Sequence, residues 1–333
     1  MSRKIWKATW WHKLASTPEQ IKKDIQRLVD AEFDMLIPCV LQTSGIADYQ
    51  SKIANVREEF KGWDPLMVAA EEANRLGLSI HAWNCVFPEG DESALLQNHP
   101  EFEAQPGTEL ERGEPIHKLA CPNRPETQDY EASLYQELID NYPVDGVSLD
   151  YIRFINGTCY CEYCQQDYKE KTGGDLMNLN FFKWNSVEAE DMDVWINWRC
   201  NVINRFVKRM REASKAGGKE LSASVFHYYP GGLQDIAQDW ESWVRNEWVD
   251  YILPMNYSPS SQIAAKWARN NIATLDGAPA SVKHWQGINR PPAMTTSRYI
   301  DHVKAILDTG IEGITIFEYP CLTDTDLAEL KKL

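Results

Sequence analysis

The chain has no run approaching the ~20 consecutive apolar residues that a membrane-spanning helix requires. Positive charge is also in short supply: 34 Lys and Arg stand against 49 Asp and Glu, a formal net charge of −15 over 333 residues. Phosphate binding needs clustered Lys and Arg, so this balance argues against a nucleic-acid partner and against an anionic membrane surface. Only seven histidines occur, and none stands in the His-Glu-x-x-His or His-x-His spacing of a catalytic metal site. There is no Gly-x-Ser-x-Gly elbow, no Walker loop and no dinucleotide fingerprint, so neither Ser-His-Asp chemistry nor any catalytic cofactor has a motif behind it. Met1 to Trp11 lacks an apolar leader core and enters a strand-like run directly. The expected location is cytoplasmic as the sequence stands, and periplasmic or secreted if a leader has been removed. With 18 Gly and 17 Pro the chain is not of low complexity, and its eight cysteines are too dilute for a disulfide scaffold. What is plentiful is aromatic surface: 13 Trp, 14 Tyr and 10 Phe.

Short apolar runs alternate with amphipathic segments along the whole length. The runs are Ile5–Trp11, Met35–Leu41, Leu78–Val86, Val144–Phe154, Leu221–Tyr229, Val249–Tyr257, Ser281–Gly287 and Ile314–Tyr319. Helix signals follow each of them. Thr17-Pro18 caps a segment with apolar residues at Ile21, Ile25 and Leu28, and Asp64-Pro65 opens another that Gly77 closes. Further helices are expected near 125–140, 191–216, 235–248, 261–275 and 295–308, and from 323 onward. Eight strand–helix units with buried strands predict one domain over residues 1–333, a single (β/α)8 TIM barrel with a long loop insertion after strand 4. An open doubly wound sheet would carry a glycine-rich turn after its first strand, and Trp10-Trp11-His12-Lys13 is not one.

Such a barrel builds its active site at the carboxyl ends of its strands. On these boundaries the ends present Trp10, Trp11 and His12 from strand 1, Gln42 from strand 2, and Trp83 and Asn84 from strand 3. Strand 4 gives Asp150, Tyr151 and Arg153, strand 5 His227 and Tyr228, strand 6 Asn256 and Tyr257. Strand 7 gives Trp285 and Gln286, and strand 8 gives Glu318. Flat apolar faces beside fixed hydrogen-bonding groups suit a sugar ring, so a carbohydrate partner is expected, with these residues as substrate contacts. Filling of the barrel by the same aromatics is the competing explanation. Glycoside hydrolysis generally uses two carboxyls, and Asp150 and Glu318 are the candidates. Strands 4 and 8 face each other across a barrel, which favours a wide separation. For Asp150 the alternative role is an ion pair bracing Arg153. Glu89, Asp91 and Glu92 on the strand 3 loop are reserve carboxyls, read as solvated surface.

Cys159-Tyr-Cys161-Glu-Tyr-Cys164 places three thiols within six residues just after strand 4. With Cys121 as fourth ligand they could close a tetrahedral structural zinc site that staples the long loop. Reduced or disulfide-bonded cysteines are the alternative.

Cys121-Pro-Asn followed by that triplet and Tyr168 resembles the zinc-binding segment of glycoside hydrolase family 42 β-galactosidases, in which four cysteines hold a structural zinc. More of the chain resembles the glycosyl-hydrolase-like family 10 group of bacterial barrels, notably in Val144-Asp-Gly-Val-Ser-Leu-Asp-Tyr-Ile-Arg and Trp248-Val-Asp-Tyr-Ile-Leu-Pro-Met-Asn-Tyr. The resemblance implies a barrel that acts on or binds carbohydrate, and Asp150 matches the strand 4 aspartate of that group. Family 42 enzymes use glutamates on strands 4 and 7. Strand 4 here ends in Asp150, and Val282-Lys-His-Trp-Gln-Gly has no carboxylate, so their two-glutamate mechanism does not transfer. The expected function is a glycosidase for an oligo- or polysaccharide, the alternative a non-catalytic carbohydrate-binding barrel. The sequence leaves oligomeric state open.

Overall fold

Strand β1 (Trp6–Trp11) pairs in parallel with β2 (Met35–Leu41) on one side and with β8 (Gly313–Phe317) on the other, which closes the sheet on itself. Between them run β3 (Ser79–Cys85), β4 (Gly146–Asp150), β5 (Glu220–Phe226), β6 (Tyr251–Met255) and β7 (Lys283–Asn289), each hydrogen-bonded to the next. The structure is a computed structural model that describes residues 4–106, 118–154, 159–179 and 189–333. Its helices follow the strands in turn: α1 (Pro18–Asp30), α2 (Pro65–Leu76), α3 (Pro125–Asn141), α4 (Ala189–Ala216), α5 (Trp240–Arg245), α6 (Ser261–Thr274), α7 (Thr296–Leu307) and α8 (Asp324–Leu330). This is a (β/α)8 barrel.

Local chemistry sets the helix ends. The Thr17 hydroxyl accepts from the Gln20 N–H, and the Asp64 carboxylate from Met67 N–H, with proline at the first turn each time. Gly77 closes α2 at a φ of 75°. The helix expected over 235–248 is instead two short ones, Gly231–Ile236 and α5, separated by Ala237 at a φ of 59°. The break turns Gln238 inward, where its Oε1 accepts from Phe226 N–H and its Nε2 donates to the Ile152 carbonyl. Gln238 thereby ties the ends of β4 and β5 together. The insertion after β4 contains a helix, Glu162–Thr172. Positions 155–158 and 180–188 of that excursion lie outside the described residues.

Alternation along the strands sorts side chains into two cores. Ala8, Trp10, Met35, Ile37, Cys39, Trp83, Cys85, Leu253 and Trp285 fill the barrel, and a larger apolar layer lies between sheet and helices. Two glycines make the interior possible. A Cβ on Gly287 would lie 2.9 Å from Trp10 Cη2, and one on Gly313 would lie 2.3 Å from Trp285 Cδ1. Trp6 and Tyr251 pack on Trp285 toward the amino ends of the strands, so aromatic rings plug the barrel there, and the carboxyl ends of the strands surround the opposite end, its mouth.

Candidate active site

Asp150 is the last residue of β4, level with Cys85 of β3, and its side chain enters the barrel mouth almost completely buried. The next residue, Tyr151, adopts a φ of 54°, a left-handed conformation that is costly for a bulky side chain. That turn brings the Tyr151 N–H to 2.7 Å from Asp150 Oδ1. It also folds Arg153 back, with Nη1 3.9 Å from the same oxygen and the guanidinium between the rings of Tyr151 (4.3 Å) and Phe226 (4.6 Å). Burial raises the Asp150 pKa from its ordinary value, while the Arg153 charge, the Tyr151 N–H and His12 pull it down. A buried acid whose proton affinity is set by opposing neighbours suits general acid–base work.

Glu318 follows β8 and accepts the His12 backbone N–H on Oε2 at 3.1 Å. His12, just past β1, is exposed and stacks on Trp83 with centroids 5.8 Å apart and planes 24° from parallel. Tyr257 lies against Trp10 and Phe317, at 6.4 and 5.5 Å between centroids. Burial lifts its phenol pKa well above 10, and the charges of Asp150, Glu318 and Tyr151 lift it further, so Tyr257 stays a neutral phenol within the field of both carboxyls.

Not every residue proposed for the rim lies there. Strand β7 runs to Asn289 rather than ending at Gly287, so Trp285 lies near its start and belongs to the plug. Gln286 points outward, donating to the Pro254 carbonyl at 3.0 Å and accepting from Asn271 of α6. The reason is Gly287, which is a gap for Trp10 and not a strand terminator. Trp11 points into the helix layer against Tyr319, 4.7 Å between centroids, and Asn256 donates to the Ala264 carbonyl of α6 at 2.7 Å. Asn84 is fully buried, on the outward register between the inward Trp83 and Cys85. Each is one residue out of phase with the barrel interior. Trp10 does point inward but is covered, forming the floor of the mouth. The His227 ring rests 3.7 Å from Trp267 of α6, and burial lowers its pKa. Tyr228 remains half-exposed beside Phe226. Gln42 is nearly buried, and its amide is engaged by the protein itself. Asn289 was missed: it ends β7 opposite Phe317, with a buried Oδ1 that has no hydrogen-bond partner among the described residues. Continuing the alternation Trp285, Gly287, Asn289 through the glycine would have found it. Glu89, expected at the surface, is wholly buried.

Cys121, Cys159, Cys161 and Cys164 converge, with all four sulfurs within 4.8 Å of one another and all four side chains buried. Zn–S bonds of ~2.3 Å in a tetrahedron give S···S edges of about 3.8 Å, and the 3.4 Å between Cys121 and Cys164 and 3.8 Å between Cys121 and Cys161 fit that size. The Gln105 N–H donates to Cys159 Sγ at 3.3 Å, an outer contact of the kind that steadies a thiolate ligand. These four residues could hold a metal ion, clipping the segment before α3 to the loop after β4.

The fold is the (β/α)8 TIM barrel, which glycoside hydrolases share with enzymes of many other activities. The family profile described as Glycosyl hydrolase-like 10 matches residues 2–290, and the chain belongs to that family. It is 22% identical over 289 residues to the glycosyl hydrolase YngK of Bacillus subtilis, covering 77% of this chain and 54% of YngK. It is 25% identical over 244 residues to the glycosyl hydrolase DigH of Escherichia coli K12, covering 63% of this chain and 49% of DigH. The chain thus spans about half the length of the curated relatives it matches. Among solved structures, the glycoside hydrolase domain of PgaB from Bordetella bronchiseptica superposes with a TM-score of 0.75 at 11% identity, covering 99% of this chain and 98% of that one. A β-galactosidase from Halorubrum lacusprofundi gives a TM-score of 0.70 at 10% identity, covering 98% of this chain and 57% of that one. Both likenesses concern the fold alone, and the family 42 resemblance of the cysteine segment gains no support beyond it.

Proposed function

We propose that the protein is a glycoside hydrolase that cleaves an oligo- or polysaccharide at the carboxyl face of the barrel, with Asp150 and Glu318 as the carboxyl pair. The observation that carries this reading is Asp150 itself. It is a buried acid at the end of β4, its pKa raised by desolvation and opposed by one neighbouring guanidinium, facing a mouth into which Tyr257 also projects. His12, exposed and stacked on the buried Trp83, offers a flat ring face to a sugar, and Tyr151, Arg153, Tyr228 and Asn289 stand at or just past the ends of β4, β5 and β7 on the same face of the barrel. In this reading a zinc ion held by Cys121, Cys159, Cys161 and Cys164 is structural and takes no part in the reaction.

A second reading, a barrel that binds glycans without cleaving them, draws on β7. Its inward positions are Lys283, Trp285, Gly287 and Asn289, and none is acidic. Incubating the protein with a panel of bacterial, plant and fungal oligosaccharides, and assaying new reducing ends, separates the two. Product that disappears with Asp150→Asn supports hydrolysis. Saturable binding with no product on any glycan supports the binding barrel.

A further inference from the structure

The loop between β2 and α2 holds a line of polar side chains that ends on Glu318. Gln42 N–H bonds to the Ile46 carbonyl and Asp48 N–H to the Val40 carbonyl, so residues 42–48 fold back as a small hairpin on the end of β2. The hairpin sets Asp48 beneath Gln42, with no exposed surface on Asp48. Arg57 Nε donates to Asp48 Oδ1 at 2.6 Å, and Gln42 Nε2 donates to Asp48 Oδ2 at 3.2 Å. The same Gln42 Nε2 donates to the His12 carbonyl at 2.7 Å, and the His12 N–H donates to Glu318 Oε2 at 3.1 Å. The line therefore crosses three neighbouring strand ends, from β2 through β1 to β8.

Two features set this line apart from ordinary loop bracing. The His12 side chain is exposed on one face and rests on Trp83 with the other, so packing alone restrains its backbone little. In the Arg57–Asp48 pair the carboxylate is fully buried and the guanidinium partly exposed, so desolvation offsets much of the attraction; what the pair does supply is fixed geometry. Asp48 has both oxygens committed, one to the cation and one to the amide, which leaves Gln42 a single orientation.

We propose that Arg57, Asp48 and Gln42 form a positioning chain that anchors the His12 backbone at its carbonyl and, through the N–H of the same residue, aims the Glu318 carboxylate. The inference rests on the reading of Glu318 as the second catalytic carboxyl. None of the three chain residues touches the reacting atoms. A carboxylate misplaced by about 1 Å can lose up to 10²-fold in rate, so the chain governs turnover more than binding.

The test uses two variants of the full chain. Gln42→Met keeps the length of the side chain and removes the N–H donor; Asp48→Asn keeps the shape and removes the ion pair. Hydrogen–deuterium exchange of the peptide spanning His12 should speed up in both, whether or not a substrate is known. On an oligosaccharide that the wild type cleaves, Gln42→Met should lower kcat by about 10-fold or more with KM within about twofold. In a Glu318→Gln background the same change should cost nothing further, because the chain acts only through that carboxylate. Unchanged exchange at His12 in two folded variants overturns the chain, as does an additive loss in the Glu318→Gln background. Wild-type turnover by Glu318→Gln alone instead overturns the carboxyl-pair reading. Should Gln42→Met fail to fold, Asp48→Asn carries both readouts with a smaller effect in the same direction.

Discussion

Arg153 Nη1 stands 3.9 Å from Asp150 Oδ1, too far for a hydrogen bond and close enough for its charge to oppose the desolvation of that carboxyl. The guanidinium is held there by the rings of Tyr151 and Phe226, and its Nη1 has no hydrogen-bond partner among the described residues. Arg153→Gln removes the largest contribution that opposes burial, so the Asp150 pKa rises further. The limb of the pH–rate profile that reports Asp150 should move to higher pH, and a profile superposable on the wild type would separate Arg153 from the acid.

Glu89 and Glu131 form a second buried carboxyl pair, between the loop after β3 and helix α3. Ser93 Oγ donates to Glu89, the Phe87 N–H donates to Glu131 Oε1 at 3.0 Å, and the hydrogen bond between the two carboxyls requires that one of them carry a proton. Burial raises Glu89 to about 7 and Glu131 well above the carboxylate range. Both folded pKa values exceed the unfolded ~4.3, so the folded chain binds more protons and its stability declines as pH rises from there through 7. Glu89→Gln should flatten that decline, raising the melting temperature at pH 8 relative to the wild type and leaving it nearly unchanged at pH 4.5.

The cysteine cluster predicts about one zinc per chain in protein purified under reducing conditions. Cys161→Ser removes one of four ligands, and it should lower both the zinc content and the melting temperature. A chelator should lower the melting temperature of the wild type and leave that of the variant nearly unmoved. Protein that binds less than half an equivalent and ignores the chelator contains no such site.

Gly313→Ala places a methyl on the Trp285 ring at the plugged end of the barrel. Overpacking of this kind costs about 1–3 kcal/mol, read as a lower denaturant midpoint with the same slope.

The fold was legible because its signals are local. Thr17-Pro18, Asp64-Pro65 and Gly77 mark helix ends by chemistry that needs no partner, and eight buried runs between such marks admit few topologies. Asp150 was legible for the same reason, as the first charged residue after an apolar strand. The facing of individual side chains was harder to read. Trp11, Asn84 and Asn256 lie within one residue of their strand ends, yet alternation sends them to the helix layer, and Gln286, three residues before the end of β7, faces the same way. Gly287 reads locally as a stop, and only the ring of Trp10 from another strand explains why it is not one. Glu89 looked like surface because its partner Glu131 is 42 positions away in sequence; burial of that kind is a tertiary fact.

The central claim is that Asp150 takes part in bond cleavage. Its most direct test is the turnover of one cleaved oligosaccharide by the wild type and by Asp150→Asn, measured beside their melting temperatures at pH 7. Loss of an acid–base or nucleophilic carboxyl should cut kcat by roughly 10²–10⁴-fold. Because burial disfavours the Asp150 carboxylate, the neutral asparagine should melt no lower than the wild type. A stable variant with that loss is the predicted result; a stable variant that turns over at the wild-type rate would contradict the account.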